Sequence, residues 1–188
     1  MTSIISALKF SADKHRNQRR KDSMASPYIN HPIEVAEILW NIGKVRDVNT
    51  IVAAILHDTV EDTETSPEEV KALFGKEIKD LVMEVTDDKS LPKQERKQLQ
   101  IEHAPHKSIS AKQIKISDKI CNVTDITNHP PDNWTLQRKI DYLHWAEKVV
   151  EGLRGSNQDL ETMFDEALKK GQDKYQAESI HNGSSETL

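Results

Sequence analysis

The sequence of 188 residues has few of the features that mark secreted, membrane-spanning or disulfide-stabilised proteins. Its single cysteine, Cys121, excludes an internal disulfide. The start Met-Thr-Ser-Ile-Ile-Ser lacks the basic and long apolar segments of a signal peptide, and no apolar run approaches the roughly 20 residues of a membrane-spanning helix. We therefore expect a soluble, cytoplasmic protein that does not bind membranes.

Motifs of several enzyme classes are also missing. The chain has no P-loop, no glycine-rich dinucleotide turn, no His-Glu-x-x-His motif and no Cys-x-x-Cys pair. Its net charge of -5 argues against general binding of nucleic acid. A polyanionic ligand must therefore meet a local cluster of basic side chains.

In contrast to these missing motifs, helical periodicity is present along most of the sequence. Strand signals are scarce, so we predict an all-α fold, a compact helical bundle with one domain over residues 1–175. Residues 176–188 are polar and are predicted to form a disordered tail. Periodic segments are found at about residues 4–19, 50–59, 76–85, 93–103, 111–127, 135–153 and 158–170.

Helix punctuation adds two further helices to this bundle. Asn30 is predicted as the N-cap of a helix that has Pro32 in its first turn and ends near Gly43. The segment Ser66-Pro67-Glu68-Glu69 is a capping box that starts the second, and Gly75 is its predicted end.

The most informative pattern is the adjacent pair His57-Asp58, at the end of a strongly apolar segment. His31 at a helix start and Asp118 in an apolar segment offer further imidazole and carboxylate ligands, a mixture that suits Mn²⁺, Fe²⁺ or Zn²⁺ better than Ca²⁺. An ionised aspartate flanked by isoleucines is costly to bury without a partner, and a divalent cation would supply one. The alternative is that His57 only caps a core helix.

A second acidic pair, Glu61-Asp62, follows the first after one helical turn. A carboxylate beside a metal can orient and deprotonate water, so we predict a catalytic role for both residues. The alternative is a solvated helix end that leads into an acidic loop.

Basic side chains form the third group of candidates. The run from Lys14 to Lys21 has four interpretations: a nuclear address, a nucleic-acid patch that the net negative charge disfavours, a solvated helix face, or a phosphate clamp formed by its last residues, Arg20 and Lys21. Lys93 adds positive charge, Asn122 lies one turn after Asp118, and Arg138 lies one turn before Tyr142.

Four spaced motifs together resemble the HD-type hydrolase domain of the RelA/SpoT homologue family, in particular its stand-alone small alarmone hydrolases of the metazoan type. They are Tyr28-Ile29-Asn30-His31-Pro32, His57-Asp58-Thr59-Val60-Glu61-Asp62, Val85-Thr86-Asp87-Asp88-Lys89 and Ser117-Asp118-Lys119.

This resemblance implies an all-helical enzyme that uses Mn²⁺ to remove pyrophosphate from the 3′ position of ppGpp and pppGpp, while the donor types leave Zn²⁺ or Fe²⁺ as alternatives. It implies His31, His57, Asp58 and Asp118 as metal ligands and Glu61 with Asp62 as the pair that activates water. The residues that it implies around the substrate are Arg20, Lys21, Lys93, Asn122, Arg138 and Tyr142.

Three alternatives stay open at this point. The same site could remove the 2′-phosphate of NADPH, which the metazoan-type relatives suggest. The chain could be a non-catalytic module that binds alarmone around a structural ion. An RNA-binding helical domain is a weaker alternative, which predicts steep salt dependence and no need for metal.

Overall fold

The computed structural model describes residues 2–22 and 24–185, and within them the all-α prediction is confirmed. These residues form ten α-helices and one 3₁₀ turn, with an isolated bridge between Arg19 and Pro27. The helices are α1 (Thr2–Lys14), α2 (Asn30–Asn41), α3 (Val48–Leu56), α4 (Thr59–Asp62), α5 (Pro67–Phe74), α6 (Lys76–Val85), α7 (Lys93–His103), α8 (Ile109–Asn128), α9 (Leu136–Glu151) and α10 (Gln158–Ser185), and the 3₁₀ turn is Ala104–His106.

Helix α3 lies at the centre of the bundle. All its residues from Thr50 to Leu56 are buried, as expected of a helix that is apolar on every side, and it packs against α1, α2, α6 and α8. The Asp47 side chain caps it by accepting a hydrogen bond from the Thr50 backbone N–H at 2.8 Å. Burial of each of its Ile and Leu side chains stabilises the fold by about 1.5–3 kcal/mol.

Helix α8 is the second central helix, and it carries polar groups into the interior. It packs against α2, α6, α9 and α10. Its middle turns bury Lys115, Ser117, Asp118 and Lys119 together with apolar neighbours. Because buried charges need partners, this stretch marks the part of the core where a functional site is expected.

Several predicted helix ends differ from those observed. Asn30 does not cap α2, whose N-cap is Ile29, because the first N–H groups are satisfied by backbone carbonyls: His31 N–H donates to the Tyr28 carbonyl at 3.0 Å. Helix α1 ends at Lys14, five residues earlier than predicted. The N-cap at Ser66 is confirmed, since the Ser66 hydroxyl accepts from the Glu69 N–H at 3.1 Å, while the Glu69 carboxylate pairs with Lys14 Nζ at 2.9 Å.

The segment predicted as a single helix over residues 50–59 is interrupted. Helix α3 ends at Leu56, and α4 starts at Thr59, with His57 and Asp58 forming the turn between them. The Asp62 N–H still donates to the Asp58 carbonyl at 2.8 Å, so the acidic pair keeps its one-turn offset from Asp58.

Tyr175 on α10 is buried, and the described side chains from residue 176 to 181 are exposed or half-buried. The predicted boundary at residue 175 therefore coincides with the end of the buried part of α10. Helix α10 continues through residues 176–185, and residues 186–188 of the predicted disordered tail lie outside the described residues. The division into a domain and a tail stays a prediction. Among the described helices, none combines the length and apolarity that crossing a membrane requires.

Candidate active site

Two helices and one turn bring the predicted metal ligands together. His31 lies in the first turn of α2, His57 and Asp58 form the turn between α3 and α4, and Asp118 lies in the middle of α8. His31 Nε2 is 3.2 Å from Asp118 Oδ1 and 3.8 Å from Asp58 Oδ2. His57 Nε2 is 3.0 Å from Asp58 Oδ2 and 3.9 Å from Asp118 Oδ1. Two imidazoles and two carboxylates thus face one small space.

The donor set fits a divalent cation. One ligand atom each of His31, His57 and Asp118 lies within 4.8 Å of the others, and all three residues are buried. His57 Nδ1 lies 2.7 Å from the Ala54 carbonyl and donates to it, which leaves the lone pair of Nε2 facing the donor set. Within the described part of the chain, this buried Nε2 accepts no hydrogen bond. Mixed imidazole and carboxylate donors of this kind suit first-row divalent metals.

Side chains behind the two carboxylates hold them in place. The Tyr28 hydroxyl donates to Asp58 Oδ2 at 2.5 Å. Lys119 Nζ donates to Asp118 Oδ2 at 2.7 Å, and Asn122 Nδ2 donates to Asp118 Oδ1 at 2.6 Å. Burial opposes ionisation of Asp118, but the adjacent Lys119 ammonium together with His31 and His57 outweighs it, and the pKa of this carboxyl is held well below its usual range. Both carboxylates are therefore ionised and oriented.

The two imidazoles differ in their protonation. Burial lowers the pKa of His31, so its ring is neutral and can act as a ligand. Burial acts in the same direction on His57, but the Asp58 carboxylate outweighs it and raises the His57 pKa to about 9. A proton and a divalent cation therefore compete for His57 Nε2.

Glu61 lies beside this cluster with an unusual protonation equilibrium. Its Oε2 accepts a hydrogen bond from the Asp87 N–H at 3.0 Å, and its Oε1 is 3.7 Å from Arg96 Nη1. Burial is the main cause that raises the Glu61 pKa to about 7, and the charges of Asp87, Asp58 and Asp62 add to it. A carboxylate with this pKa is suited to accept a proton near neutral pH.

Asp62 is held by two residues that sequence reasoning missed. Gln18 Nε2 donates to Asp62 Oδ2 at 2.9 Å, and the Lys89 ammonium forms an ion pair with the same carboxylate. Lys89 belongs to the Val85–Lys89 motif, so its position in the sequence was a signal. Gln18 carried no signal, since it lies 44 residues from Asp62.

Two adjoining cavities open beside the donor cluster. The first has a volume of about 430 Å³ and the second about 680 Å³, and Asp62 and Tyr142 line both. Glu61 lines the second cavity. All six residues predicted to contact substrate line one or both: Arg20, Lys21, Asn122 and Tyr142 the first, and Lys21, Lys93, Arg138 and Tyr142 the second.

Arg20 and Asn122 are already paired within the protein. The Arg20 guanidinium forms an ion pair with Asp125 and lies 3.3 Å from Asn122 Oδ1, while the Asn122 amide donates to Asp118. Lys21, in contrast, is exposed. The predicted substrate contacts thus divide into partnered residues at the base of the cavity and exposed cations at its rim.

Aromatic rings form one wall of the cavities. The Tyr142 ring centroid is 5.7 Å from that of Trp134 and 5.3 Å from that of Trp145. The Arg138 guanidinium lies 4.3 Å from the Trp134 ring centroid, so it stacks on this ring and not on Tyr142, the partner that helical spacing suggested. The two tryptophans were missed because most tryptophans only pack.

Comparison with known proteins agrees with this geometry. Residues 7–147 match the HD domain family. The chain is 51% identical over 162 residues to the guanosine-3′,5′-bis(diphosphate) 3′-pyrophosphohydrolase MESH1 of Xenopus tropicalis, a match that covers 86% of this chain and 90% of that protein. The protein of the same name from Homo sapiens is 51% identical over 166 residues, with 88% of this chain and 90% of the relative covered.

A solved structure described as "A metazoan ortholog of SpoT hydrolyzes ppGpp and plays a role in starvation responses" has the same fold. It superposes with a TM-score of 0.88 and 48% sequence identity, over 90% of this chain and 96% of the other. Identity and coverage at this level confirm the resemblance that the four motifs indicated. The chain belongs to the HD-domain family and, within it, to the metazoan SpoT homologues.

Proposed function

We propose that this protein hydrolyses the 3′-diphosphate of ppGpp and pppGpp, releasing pyrophosphate together with GDP or GTP, with Mn²⁺ as its cofactor. The observation that carries the proposal is the buried donor set of His31, His57 and Asp118, with Asp58 beside it, next to a cavity lined by Glu61. The names of the relatives support the reaction, and the mixed donors support a metal such as Mn²⁺.

The bound cation would be held by His31, His57, Asp58 and Asp118, where it would supply Lewis-acid chemistry for water and phosphate oxygen. Glu61 accepts the proton of the attacking water, a role to which its pKa of about 7 is suited.

Asp62 is fixed by Gln18 and Lys89 at the boundary of the two cavities, where it orients the same water. Phosphoryl transfer needs positioning and charge neutralisation more than covalent help from the protein. Lys21, Lys93 and Arg138 provide the positive charge that faces the phosphates.

The aromatic wall gives the rest of a nucleotide a surface to contact. A base or sugar that enters the second cavity meets the rings of Trp134, Tyr142 and Trp145. Aromatic stacking on a base contributes about 1–3 kcal/mol. The site therefore combines a phosphate-facing side with a side suited to a flat ring.

The test is product analysis with the purified protein. After treatment with a chelator, the protein is reloaded with Mn²⁺, Zn²⁺ or Fe²⁺ in separate samples and incubated with ppGpp. We expect pyrophosphate and GDP in equal amounts, with the highest turnover in Mn²⁺ and none in the chelated sample. Turnover that chelation leaves unchanged would contradict a metal-dependent site.

A parallel incubation with NADPH, followed by measurement of orthophosphate, tests the alternative reaction at the same site. Faster release of orthophosphate than of pyrophosphate would assign the site to a 2′-phosphatase. Tight binding of intact ppGpp without products in every metal would assign the chain to the non-catalytic alternative. The cytoplasmic location and the lack of a nucleic-acid partner remain predictions.

A further inference from the structure

Two lysines outside the site described above hold the carboxyl end of α6. Lys107 Nζ donates to the Glu84 carbonyl at 2.5 Å, and Lys115 Nζ donates to the Val85 carbonyl at 3.3 Å. The last carbonyls of a helix have no partner within the helix, and cations near that end also interact favourably with the helix dipole. We call Lys107 and Lys115 the α6 clamp.

Burying the Lys115 ammonium group to bind a helix carbonyl costs free energy. It is only 7% exposed, and burial lowers the pKa of its ammonium group. Among the described residues, no carboxylate forms an ion pair with its Nζ. The nearby Lys119 ammonium opposes its charge, while the carboxylates of Asp118, Asp87 and Glu61 favour it. An unpaired buried charge is costly, and an apolar side chain of the same volume often serves stability as well or better. This cost indicates a role beyond stability.

The end of α6 leads directly to Glu61. Asp87 follows Val85 by two residues, and its backbone N–H is the group that donates to Glu61 Oε2 at 3.0 Å. The Asp87 carboxylate accepts a hydrogen bond from Gln100, so the segment after α6 is fixed on its other side as well. The position of the end of α6 therefore sets the position of the donor to Glu61.

Helix α8 connects this end to the metal donor set. Lys115 precedes Asp118 by three residues, so both lie on one face of the same helix. A rigid helix fixes the distance between its own side chains. Through Lys115 and Asp118, α8 therefore relates the placement of Glu61 to that of the donor set.

We propose that the α6 clamp, and Lys115 in particular, is a positioning device for the Glu61 carboxylate. By holding the Val85 carbonyl, Lys115 keeps the Asp87 N–H on Glu61 Oε2, and the base keeps its orientation toward the donor set. This inference rests on the proposed role of Glu61 in hydrolysis. It adds two residues to the function that touch neither the donor set nor Glu61 itself.

The test replaces each clamp lysine by methionine, which keeps most of the side-chain volume and removes the charge. For Lys115→Met we expect kcat to fall at least tenfold with KM changed less than twofold, because substrate contacts are untouched and the base is misplaced. For Lys107→Met, at a half-buried position, we expect a two- to fivefold fall in kcat. Lys112→Met, on helix α8 with Lys115, is the matched control and is expected to leave kcat and KM unchanged.

Hydrogen exchange at the Asp87 amide, followed by NMR in the absence of substrate, provides a readout that is independent of activity. We expect faster exchange in Lys115→Met than in the wild type, with melting temperature retained or raised. Wild-type kcat and wild-type exchange in Lys115→Met would overturn the proposal, as would a fall in kcat that only follows the folded fraction.

If Lys115→Met does not fold, the proposal is tested with Lys107→Met alone. Wild-type exchange at the Asp87 amide and wild-type kcat in Lys107→Met would then overturn the proposal. Failure of the proposed function is distinguishable, since it would appear as absence of pyrophosphate release in the wild type. The exchange comparison would still test the clamp.

Discussion

The buried donor cluster and the cation-rich rim of the cavities lie in the same part of the molecule, but they are built in opposite ways. His31, His57 and Asp118 are 1%, 4% and 7% exposed and lie on or beside central helices. Lys93 and Arg138 lie on the peripheral helices α7 and α9, where both are exposed. The core thus fixes the chemistry, and the surface supplies charge for recognition.

The difference has a physical consequence for substitutions. In the buried cluster, the two carboxylates are held by Lys119, Asn122 and Tyr28, and water cannot replace a lost partner. At the rim, solvent and salt screen each charge, so a single cation contributes less. Changes in the cluster should therefore act on kcat, and changes at the rim on KM.

The largest expected effect comes from Asp118→Asn. The substitution keeps the shape and removes the charge that the donor set offers to a cation. Loss of an outer partner of a metal ligand already costs about 10–100-fold in metal affinity or activity, so we expect loss of a ligand to lower kcat/KM at least about 10³-fold. Pyrophosphate release and metal content by mass spectrometry measure both effects.

Asp173→Asn, on an exposed part of α10, is the matched control for this prediction. It should retain wild-type activity and metal content. Equal activity of Asp118→Asn and Asp173→Asn would contradict the prediction that the buried donor cluster is needed for hydrolysis.

Glu61→Gln is expected to have the next largest effect. It removes the base and leaves the donor set unchanged, so kcat should fall about 10²-fold or more while the metal content stays at the wild-type value. Loss of metal together with activity would instead make Glu61 part of the donor set. Glu64→Gln, on the exposed loop after α4, provides the control.

Arg138→Gln tests the rim. We expect KM for ppGpp to rise about tenfold with kcat within twofold of the wild type, since a charge-assisted contact to phosphate contributes about 1.5 kcal/mol. The ratio of the Arg138→Gln KM to the wild-type KM should decrease as the salt concentration increases. Arg154→Gln, whose guanidinium pairs with Asp165 away from both cavities, is the control. A large fall in kcat would show that Arg138 acts as the buried donor cluster does, and the expected difference between cluster and rim would then not hold.

The smallest expected effect is a shift in the pH profile. Glu61 must be unprotonated to accept a proton, so kcat should rise with pH through about 7. Arg96 Nη1 lies 3.7 Å from Glu61 Oε1 and favours its charged form. In Arg96→Met the Glu61 pKa should therefore rise, and the midpoint of the profile should move to higher pH by a fraction of a unit. Arg16→Met, at an exposed position just after the end of α1, should not move it.

An unchanged profile in Arg96→Met would indicate that Arg96 does not influence the protonation of Glu61. A shift to lower pH would contradict the assigned direction of the charge effect. Measurement of kcat from pH 5.5 to 9 with a constant metal concentration separates these outcomes.

Much of the site was predictable because its residues carry local signals. His57, Asp58, Glu61 and Asp62 lie within six residues, so the spacing of one helical turn already groups them. Asp118 stood out as an acid between isoleucines, where burial demands a partner. Their chemical roles stay predictions until the substitutions above are made.

The missed contacts share a different property. Arg20 meets Asp125 across 105 residues, and Gln18 meets Asp62 across 44. Lys115 reaches the Val85 carbonyl across 30 residues. No local pattern encodes such pairs, because each depends on how two helices cross. The interruption of the helix after Leu56 was also missed, since no glycine or proline marks it in the sequence, although Asp58 has φ -99° and ψ -4°.

The sequence by itself determined the helical class, most helix bounds and the residue types of a metal-dependent hydrolase. Periodicity, caps and the reactivity of adjacent side chains are local, and a chain carries them wherever it folds. Only the tertiary structure decided which donors face one another, which cations are free and which carbonyl Lys115 holds. These depend on the packing of α2, α3, α6 and α8, a property of the whole core and not of any one segment.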